Sequence, residues 1–287
     1  MKKRTHGSTL QRIRNLALVA CLLASSAVFA QEKSAEKHAG ALVLVGGGAN
    51  RPVYMNRFRE LAGGEKAKIV VIPTTLPDER LTAEGMERLS TQFRDNFGPA
   101  AVTLHTRDRK VADSAEFVQP LRDATGVWIM GGSEILLADA YVGTRVEKEI
   151  AALYARGGVV AGTSAGAIIQ GSVMTLGKLV KGRDPDEVSV MGTRAAFDLL
   201  PQWVIMPHWS QRKLNFNLLA AEMAKEPTRL GLGIDEDTAV VVQDGRFEVL
   251  GDHHAGIYDG GEHDGKPYLL LSPGQIYDVK KHALVRG

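Results

Sequence analysis

Short runs of aliphatic and β-branched residues alternate with longer amphipathic stretches through the first half of this chain. The short runs predict buried strands, because they are apolar throughout rather than at every second position. The longer stretches between them predict helices. Strands and helices that alternate in this way are typical of a parallel sheet whose crossover helices cover both faces. The predicted strands are residues 41–45, 68–72, 101–104, 127–130 and 159–161, and the predicted helices are residues 54–61, 83–97, 115–123 and 146–156.

The last third of the chain has a different pattern. Three strand-like segments, residues 238–242, 247–250 and 268–271, are separated by turn signals such as Asp244-Gly245. Segments of this kind predict antiparallel hairpins, which we place on an edge of the main sheet. The predicted fold class is therefore α/β, with a doubly wound, mostly parallel sheet and antiparallel hairpins in its C-terminal part.

The beginning of the chain has the pattern of a secretory leader. Basic residues precede an apolar run that ends at Ala30 and is short for a membrane span. We therefore expect a cleaved signal peptide at residues 1–30 and a single domain at residues 31–287, in a secreted or periplasmic protein. Lipidation at Cys21 is a weaker alternative, because apolar residues continue well past that cysteine.

Removal of the leader changes the charge expected of the mature chain. The leader contains five basic residues, no acidic residue and the only cysteine, Cys21. The formal net charge therefore falls from +2 to −3, and no disulfide bond can form. We accordingly expect no nucleic-acid partner, and no membrane association once the leader has been cleaved.

Two glycine-rich loops follow predicted strands, at the sheet edge where open α/β sheets bind their ligands. In the first, Gly46 and Gly48 fit the start of a dinucleotide-binding motif, but its third glycine would fall at Arg51. A tight turn explains this loop better than a dinucleotide site does. The second loop contains Gly131-Gly132, whose backbone amides can approach a ligand closely. An oxyanion donor and a plain turn are both open interpretations there.

The segment VVAGTSAGAII, residues 159–169, places Ser164 between a predicted strand and an apolar helix. A serine flanked by glycines in this context is typical of a nucleophile elbow, in which a sharp turn exposes the hydroxyl at the sheet edge. The amide of Ala165 would then point towards a developing oxyanion. Small-residue packing between strand and helix is the alternative, and the strand–turn–helix context favours the nucleophile.

A serine nucleophile needs a base, usually a histidine, that an acid holds in position. His208 follows the apolar run 203–207, so we expect it at the same sheet edge as Ser164, either as the base or as a structural histidine. Position alone does not choose the acid. The candidates are Asp235, Glu236 and Asp237 after a short strand, and Asp184, Asp186 and Glu187 between the serine and the histidine.

Four segments together resemble the cyanophycinase and aspartyl dipeptidase family of serine peptidases. They are Gly131-Gly132, AGTSAGA at 161–167, HWSQR at 208–212 and GLGIDEDTA at 231–239. The resemblance implies a fold like that of class I glutamine amidotransferases, with no metal or cofactor. It also implies roles for individual residues: Ser164 as nucleophile, His208 as base, Glu236 as orienting acid, and the amides of Gly132 and Ala165 as the oxyanion hole.

The chain departs from this family's pattern where a substrate would bind. Cyanophycinases that release β-Asp-Arg dipeptides usually carry aspartate and glutamine before the catalytic histidine and after the double glycine, and three arginines beyond the histidine. This chain has Met206-Pro207, Ser133-Glu134, Leu214 and Asn217 at those positions and keeps only Arg212. Because each buried charge of a substrate needs a partner, we expect a different specificity. Glu134 is expected to contact a basic group or an amino terminus, and Arg212 a carboxylate.

The sequence thus predicts a secreted serine peptidase that hydrolyses an amide bond next to an aspartyl or isoaspartyl residue through an acyl-enzyme. The expected partner is a peptide or small-molecule substrate, and a homodimer is left open. Two other functions agree with parts of the sequence. An esterase of the α/β-hydrolase type would use His253 or His254 as its base, and a non-catalytic binding protein would explain the depleted substrate pocket.

Overall fold

The computed structural model describes residues 40–179 and 188–285, so the predicted leader at residues 1–30 lies outside the described residues. The strands of the described part form two sheets. In chain order the strands are β1 (Ala41–Val45), β2 (Ile69–Ile72), β3 (Val102–Thr103), β4 (Gly126–Ile129), β5 (Val159–Thr163), β6 (Gly171–Leu179), β7 (Val188–Ala195), β8 (Leu200–Pro207), β9 (Leu230–Ile234), β10 (Thr238–Gln243), β11 (Arg246–Gly251), β12 (Ala255–Tyr258), β13 (Leu269–Leu271), β14 (Ile276–Asp278) and β15 (Ala283–Leu284). The helices are α1 (Pro52–Leu61), α2 (Ala83–Phe97), α3 (Arg109–Ala112), α4 (Gln119–Asp123), α5 (Glu134–Tyr141), α6 (Arg145–Ala155), α7 (Ala165–Ile168) and α8 (Lys213–Lys225), with short 3₁₀ turns at Gly64–Lys66 and Asp78–Arg80.

Most of the elements predicted for the first half of the chain are present, with small shifts at their ends. Strand β1 and helix α2 have the predicted bounds. The helix predicted at residues 115–123 is wrong at its start, because α4 begins only at Gln119 and residues 115–118 form turns. Pro120 lies in the first turn of α4, the place in a helix where a missing N–H group costs nothing. Among the described helices, none is long and apolar enough to cross a membrane.

The main sheet has the strand order β15-β14-β11-β10-β1-β5-β4-β2-β3. Strands β1 to β5 run parallel, and β10, β11, β14 and β15 continue the sheet in antiparallel fashion beyond β1. Leu42 and Leu44 of β1 belong to one apolar cluster, whereas Val43 and Val45 belong to the cluster on the opposite face. Because both faces are covered, the strand has to be apolar throughout. The predicted α/β fold, with doubly wound parallel strands and antiparallel strands in its C-terminal part, is confirmed.

A second sheet has the order β13-β12-β9-β8-β6-β7, and the sequence pattern does not reveal it. The prediction that residues 268–271 extend the main sheet is wrong, because β13 pairs with β12 of the second sheet. The other two predicted hairpin strands, β10 and β11, do lie on the main sheet. A local hydrophobic pattern looks the same in either place. Pairing with β12, the strand directly before β13, decides the sheet, because β12 itself pairs with β9 of the second sheet.

The second sheet is packed between helix α8 and the main sheet. On one face, Leu218 of α8 belongs to the same apolar cluster as Met206 of β8 and the buried Trp209. On the other face, the ring centroid of Trp203 in β8 lies 4.7 Å from that of Phe247 in β11 of the main sheet. These contacts hold the ends of β8 and β9 against the ends of the main-sheet strands.

The carboxyl ends of four strands meet where the two sheets adjoin. Strands β1 and β5 end side by side in the main sheet, and β8 and β9 end side by side in the second. A hydrogen bond of 2.8 Å from the N–H of His208 to the carbonyl of Gly46 joins the two pairs of strand ends. The chain then passes from β9 to β10, and so between the sheets, through only Asp235, Glu236 and Asp237. The loops after these strands therefore come together at one place.

Candidate active site

Ser164 lies in a sharp turn between β5 and α7. Its backbone angles, φ 54° and ψ −117°, are unusual for a residue with a side chain and store strain. Its N–H donates to the carbonyl of Val45 at 2.9 Å, which ties the turn to β1. The flanking glycines are required by close packing. A Cβ on Gly162 would lie 2.1 Å from the carbonyl oxygen of Gly166, and one on Gly166 would lie 2.3 Å from that of Ile129. This is the geometry of a nucleophile elbow.

His208 reaches the elbow from the second sheet. The expectation that it shares a sheet edge with Ser164 is therefore wrong, because β8, which precedes it, pairs with β6 and β9 rather than with β5. Its Nε2 nevertheless lies 2.8 Å from the Oγ of Ser164. The imidazole packs on Gly47, where a Cβ would lie 2.2 Å from the ring's Cε1. Sequence reasoning preferred a tight turn to a dinucleotide site for this glycine loop and missed its contact with the histidine.

Glu236 lies on the far side of the imidazole. Its Oε1 is 2.6 Å from Nδ1 of His208, and its own N–H donates to the side-chain oxygen of Gln211. A carboxylate can only accept a hydrogen bond, so Nδ1 carries the proton in the neutral ring. The lone pair of Nε2 is then directed at Ser164, whose hydroxyl donates to it. The arrangement can take a proton from the serine as the hydroxyl attacks a carbonyl.

The surroundings of His208 favour a neutral imidazole. Burial lowers its pKa below the ordinary value of 6.5, and the Arg212 cation lowers it further, whereas the hydrogen bond and charge of Glu236 raise it. The ring is 10% exposed, while the carboxylate of Glu236 is 35% exposed. A partly solvated acid next to a buried ring can stabilise the imidazolium during reaction without keeping the ring protonated at rest.

The two acids beside Glu236 have other partners. Asp235 is buried and accepts hydrogen bonds from the N–H groups of Ser210, at 2.9 Å, and His254, at 3.3 Å. Asp237 accepts from the N–H of Ala49 and pairs with Arg51, and these interactions lower its pKa although its partial desolvation opposes them. Of these three acids, only Glu236 contacts the imidazole of His208. The other acidic candidates, Asp184, Asp186 and Glu187, lie outside the described residues.

Two backbone N–H groups lie beside the serine. Ala165 directly follows Ser164 and begins α7. The Gly131-Gly132 segment packs against the serine, since a Cβ on Gly131 would lie 3.3 Å from the Cβ of Ser164. Within residues 40–179 and 188–285, the N–H groups of Gly132 and Ala165 have no hydrogen-bond acceptor. Unpaired N–H groups next to a serine hydroxyl can stabilise an oxyanion.

A cavity of about 500 Å³ opens in front of the serine and the histidine. Among the described residues of its wall, Glu134, at the start of α5, and Arg212, just before α8, are the two charged side chains. Neither has an ion-pair partner among the described residues. Most of the remaining wall is apolar: Ile135, Ile168, Leu176, Met191, Met206, Leu214 and Leu218.

Known proteins resemble this chain over most of its length. The model of peptidase family S51 matches residues 42–250. This chain belongs to peptidase family S51. Its relatives include the cyanophycinases of Nostoc sp., 31% identical over 255 residues and covering 85% of this chain and 83% of the relative, and of Geminocystis herdmanii, 30% identical with 85% and 91% covered. A solved peptidase structure from an acI-B1 Actinobacterium superposes with a TM-score of 0.65 at 25% identity, over 84% of this chain and 98% of that one.

Membership of family S51 makes the chain a peptidase and confirms the resemblance found in its motifs. In this S51 peptidase the ring next to Ser164 belongs to His208. The backbone N–H of His253 donates to the hydroxyl of Thr238, and the backbone N–H of His254 donates to the carboxylate of Asp235. In the described part of the chain, neither of these two imidazole rings contacts the serine. The esterase alternative, which needs one of these two rings as its base, loses its support. No group of three or more His, Cys, Asp or Glu residues in that part is arranged to hold a metal ion.

Proposed function

We propose that this S51 peptidase hydrolyses an amide bond next to an aspartyl or isoaspartyl residue of a short peptide, through an acyl-enzyme on Ser164. The observation that carries the proposal is the continuous hydrogen-bonded chain from Ser164 through His208 to Glu236. Ser164, at one end of this hydrogen-bonded chain, lies in a strained elbow that faces an open cavity. A structural histidine would not need a hydroxyl on one ring nitrogen and a carboxylate on the other at this position.

The reaction follows from the positions of the donors. Ser164 Oγ attacks the scissile carbonyl carbon while Nε2 of His208 takes its proton, and the carbonyl π electrons move to oxygen. The N–H groups of Gly132 and Ala165 donate to that oxyanion. His208 then gives its proton to the departing amine as the C–N bond breaks. Water repeats the sequence in the second half, attacking the ester, transferring a proton through His208 and releasing the acid and the serine.

Two charged side chains support a short peptide as the substrate. Arg212 can bind a carboxylate, either the aspartyl one or the end of the peptide, and Glu134 can bind an amino group. A dipeptide supplies both charges at once. The relatives are cyanophycinases, and the motifs of this chain resemble those of aspartyl dipeptidases; both support an aspartyl residue at the cleaved bond.

The apolar wall supports a different second residue from the arginine of β-Asp-Arg. Met206 and Leu214 line the cavity at positions where cyanophycinases that release β-Asp-Arg usually carry an aspartate and an arginine. An arginine side chain placed against them would be desolvated, and Glu134 would be its one acidic partner among the described residues of the wall. An aliphatic side chain would gain about 25 cal/mol for each Å² that it buries there. We therefore expect β-Asp-Leu to be a better substrate than β-Asp-Arg.

A substrate panel tests the proposal. Purified enzyme and its Ser164→Ala variant are incubated with α- and β-aspartyl dipeptides that end in leucine or arginine, with cyanophycin and with simple esters, and released amino groups are measured. We expect hydrolysis of aspartyl dipeptides by the wild type alone. Equal activity in the Ser164→Ala variant would exclude the mechanism. Hydrolysis of the esters without any of the peptides would exclude the substrate class.

We also propose that the enzyme acts outside the cytoplasm. The basic, apolar and small-residue pattern of residues 1–30 supports export and cleavage after Ala30. Expression of the full chain in a bacterial host, followed by fractionation and N-terminal sequencing, provides the test. A periplasmic or secreted protein that begins at Gln31 is expected. A protein retained in the cytoplasm would contradict export, and one lipidated at Cys21 would contradict cleavage after Ala30.

A further inference from the structure

Thr75 lies in the loop after β2 and is hydrogen-bonded to the double-glycine segment Gly131-Gly132 and its next residue. It is fully buried, and its hydroxyl donates to the carbonyl oxygen of Gly131 at 2.9 Å. Its own carbonyl accepts from the N–H of Ser133 at 2.8 Å. Thr75 therefore holds the chain on both sides of Gly132, through one side-chain and one backbone hydrogen bond.

The hydrogen bond to Gly131 sets the direction of the Gly132 N–H. The carbonyl of Gly131 and the N–H of Gly132 belong to the same planar trans peptide, so they point in opposite directions. Because the carbonyl is held towards Thr75, the N–H points away from Thr75. Gly132 lines the cavity that contains Ser164, and its N–H has no acceptor among the described residues.

A peptide between two glycines needs such a restraint. Gly132 has φ +145°, in the region that favours glycine, and a Cβ there would lie 2.4 Å from the carbonyl oxygen of Thr75. The absence of side chains permits this close approach, but it also lowers the cost of rotating the peptide. A rotated peptide would present the carbonyl of Gly131 to the cavity. A carbonyl oxygen repels a developing oxyanion, whereas an N–H stabilises it.

We propose that Thr75 is the positioning residue of the oxyanion hole: its hydroxyl, by holding the carbonyl of Gly131, keeps the N–H of Gly132 directed at the oxyanion. The inference rests on the proposed function, because it assumes that a tetrahedral intermediate forms on Ser164. Thr75 itself touches neither substrate nor nucleophile. Its effect reaches the reaction only through the orientation of one peptide.

The test compares variants of Thr75 with a matched variant of its neighbour. Thr75→Val keeps the shape of the side chain and removes the hydroxyl, and Thr75→Ser keeps the hydroxyl. Thr74→Val is the control, because Thr74 is equally buried but bonds with Tyr141, at 2.9 Å, and with His105, at 3.0 Å. Loss of one oxyanion donor typically lowers kcat about 10²- to 10³-fold. We expect a fall of that order in Thr75→Val, with KM nearly unchanged, and near wild-type kcat in Thr75→Ser and Thr74→Val.

Further readouts separate positioning from a general loss of structure. The acid limb of the pH profile should not move in Thr75→Val, because the surroundings of His208 are intact. Affinity for a peptide aldehyde, which forms a tetrahedral adduct, should fall by the same factor as kcat. If Thr75→Val does not fold, Thr75→Ala is the second variant, because it removes the hydroxyl without adding bulk.

Two outcomes would overturn the inference. One is wild-type kcat in a folded Thr75→Val or Thr75→Ala enzyme. The other is an equal loss of kcat in Thr74→Val, which would show that any change in this buried loop suffices. The Ser164→Ala variant keeps the two claims apart. Full activity in Ser164→Ala would contradict the proposed function itself. An inactive Ser164→Ala together with a fully active Thr75→Val would contradict only the role of Thr75.

Discussion

The Oγ of Ser164 lies 2.8 Å from Nε2 of His208, although the two residues follow strands of different sheets. The contact depends on the junction at which β1 and β5 end next to β8 and β9. The backbone hydrogen bond from His208 to Gly46 holds that junction together. Relative movement of the two sheets would therefore separate the serine hydroxyl from the imidazole.

The strain at Ser164 can be measured by comparing two variants that both lack the hydroxyl. Glycine adopts φ 54° without penalty, whereas alanine is strained there as serine is. We expect Ser164→Gly to be more stable than Ser164→Ala by about 1 kcal/mol, after allowing for the greater freedom of glycine in the unfolded chain. Urea denaturation provides the measurement. Equal stability, or a more stable alanine variant, would show that the elbow stores no strain.

The orienting acid can be identified by changing neighbouring carboxylates. Glu236→Gln keeps the size of the side chain but removes the charge that holds the Nδ1 proton of His208, so kcat should fall by about 10²- to 10⁴-fold. Asp237→Asn is the control, because Asp237 contacts Ala49 and Arg51 rather than the imidazole. It should retain kcat within several-fold. A larger loss of kcat in Asp237→Asn than in Glu236→Gln would contradict the assignment of Glu236 as the orienting acid.

Sequence patterns predict the parallel half of the fold well, because each strand and each helix there has its own local signature. Ser164 is found for the same reason, since an elbow is encoded within a few consecutive residues. The second sheet is not predicted. Its strands β8, β9 and β12 pair across intervening helix and loop segments, and no local pattern specifies which of two sheets a strand joins.

The supporting contacts of the site are also beyond sequence reasoning. Three adjacent acids, Asp235, Glu236 and Asp237, look equivalent in the local pattern, and only the family resemblance singles out Glu236. The folded loop gives the physical reason, because it directs the Glu236 side chain at the imidazole of His208. Gly47 looks like any turn glycine until the imidazole is placed against it. The sequence signal for this contact is the run of three glycines directly after the first strand. Such a run indicates that another group lies close to the backbone, but it does not identify that group.

The contact between Gly47 and the imidazole can be tested with a control glycine of similar φ. Gly47 has φ +103° and Gly98 has φ +100°, but only at Gly47 would a Cβ strike another side chain, that of His208. Both alanine variants should lose similar stability from the backbone. Gly47→Ala should in addition lower kcat by about 10²-fold, since displacement of a catalytic group by roughly 1 Å has effects of that order. An equal kcat in the two variants would contradict the assignment.

The pH dependence of activity should report the surroundings of His208. Burial and Arg212 lower its pKa, so kcat/KM should fall only as the pH drops through a value below 6.5. Arg212→Gln removes a cation that disfavours the imidazolium, and the acid limb should therefore move to higher pH. Arg212→Lys, which keeps the charge, should leave the limb in place. A limb that moves to lower pH in Arg212→Gln would contradict the sign of this interaction.

Covalent labelling of Ser164 tests the central claim most directly. The folded enzyme is treated with a fluorophosphonate, its intact mass is measured, and the modified peptide is mapped; Ser164→Ala is treated in parallel. Activation by His208 predicts one phosphonyl group per chain on Ser164, with none on the variant and parallel loss of peptidase activity. An unlabelled enzyme that still cleaves peptides, or a label on any other residue, would contradict the account.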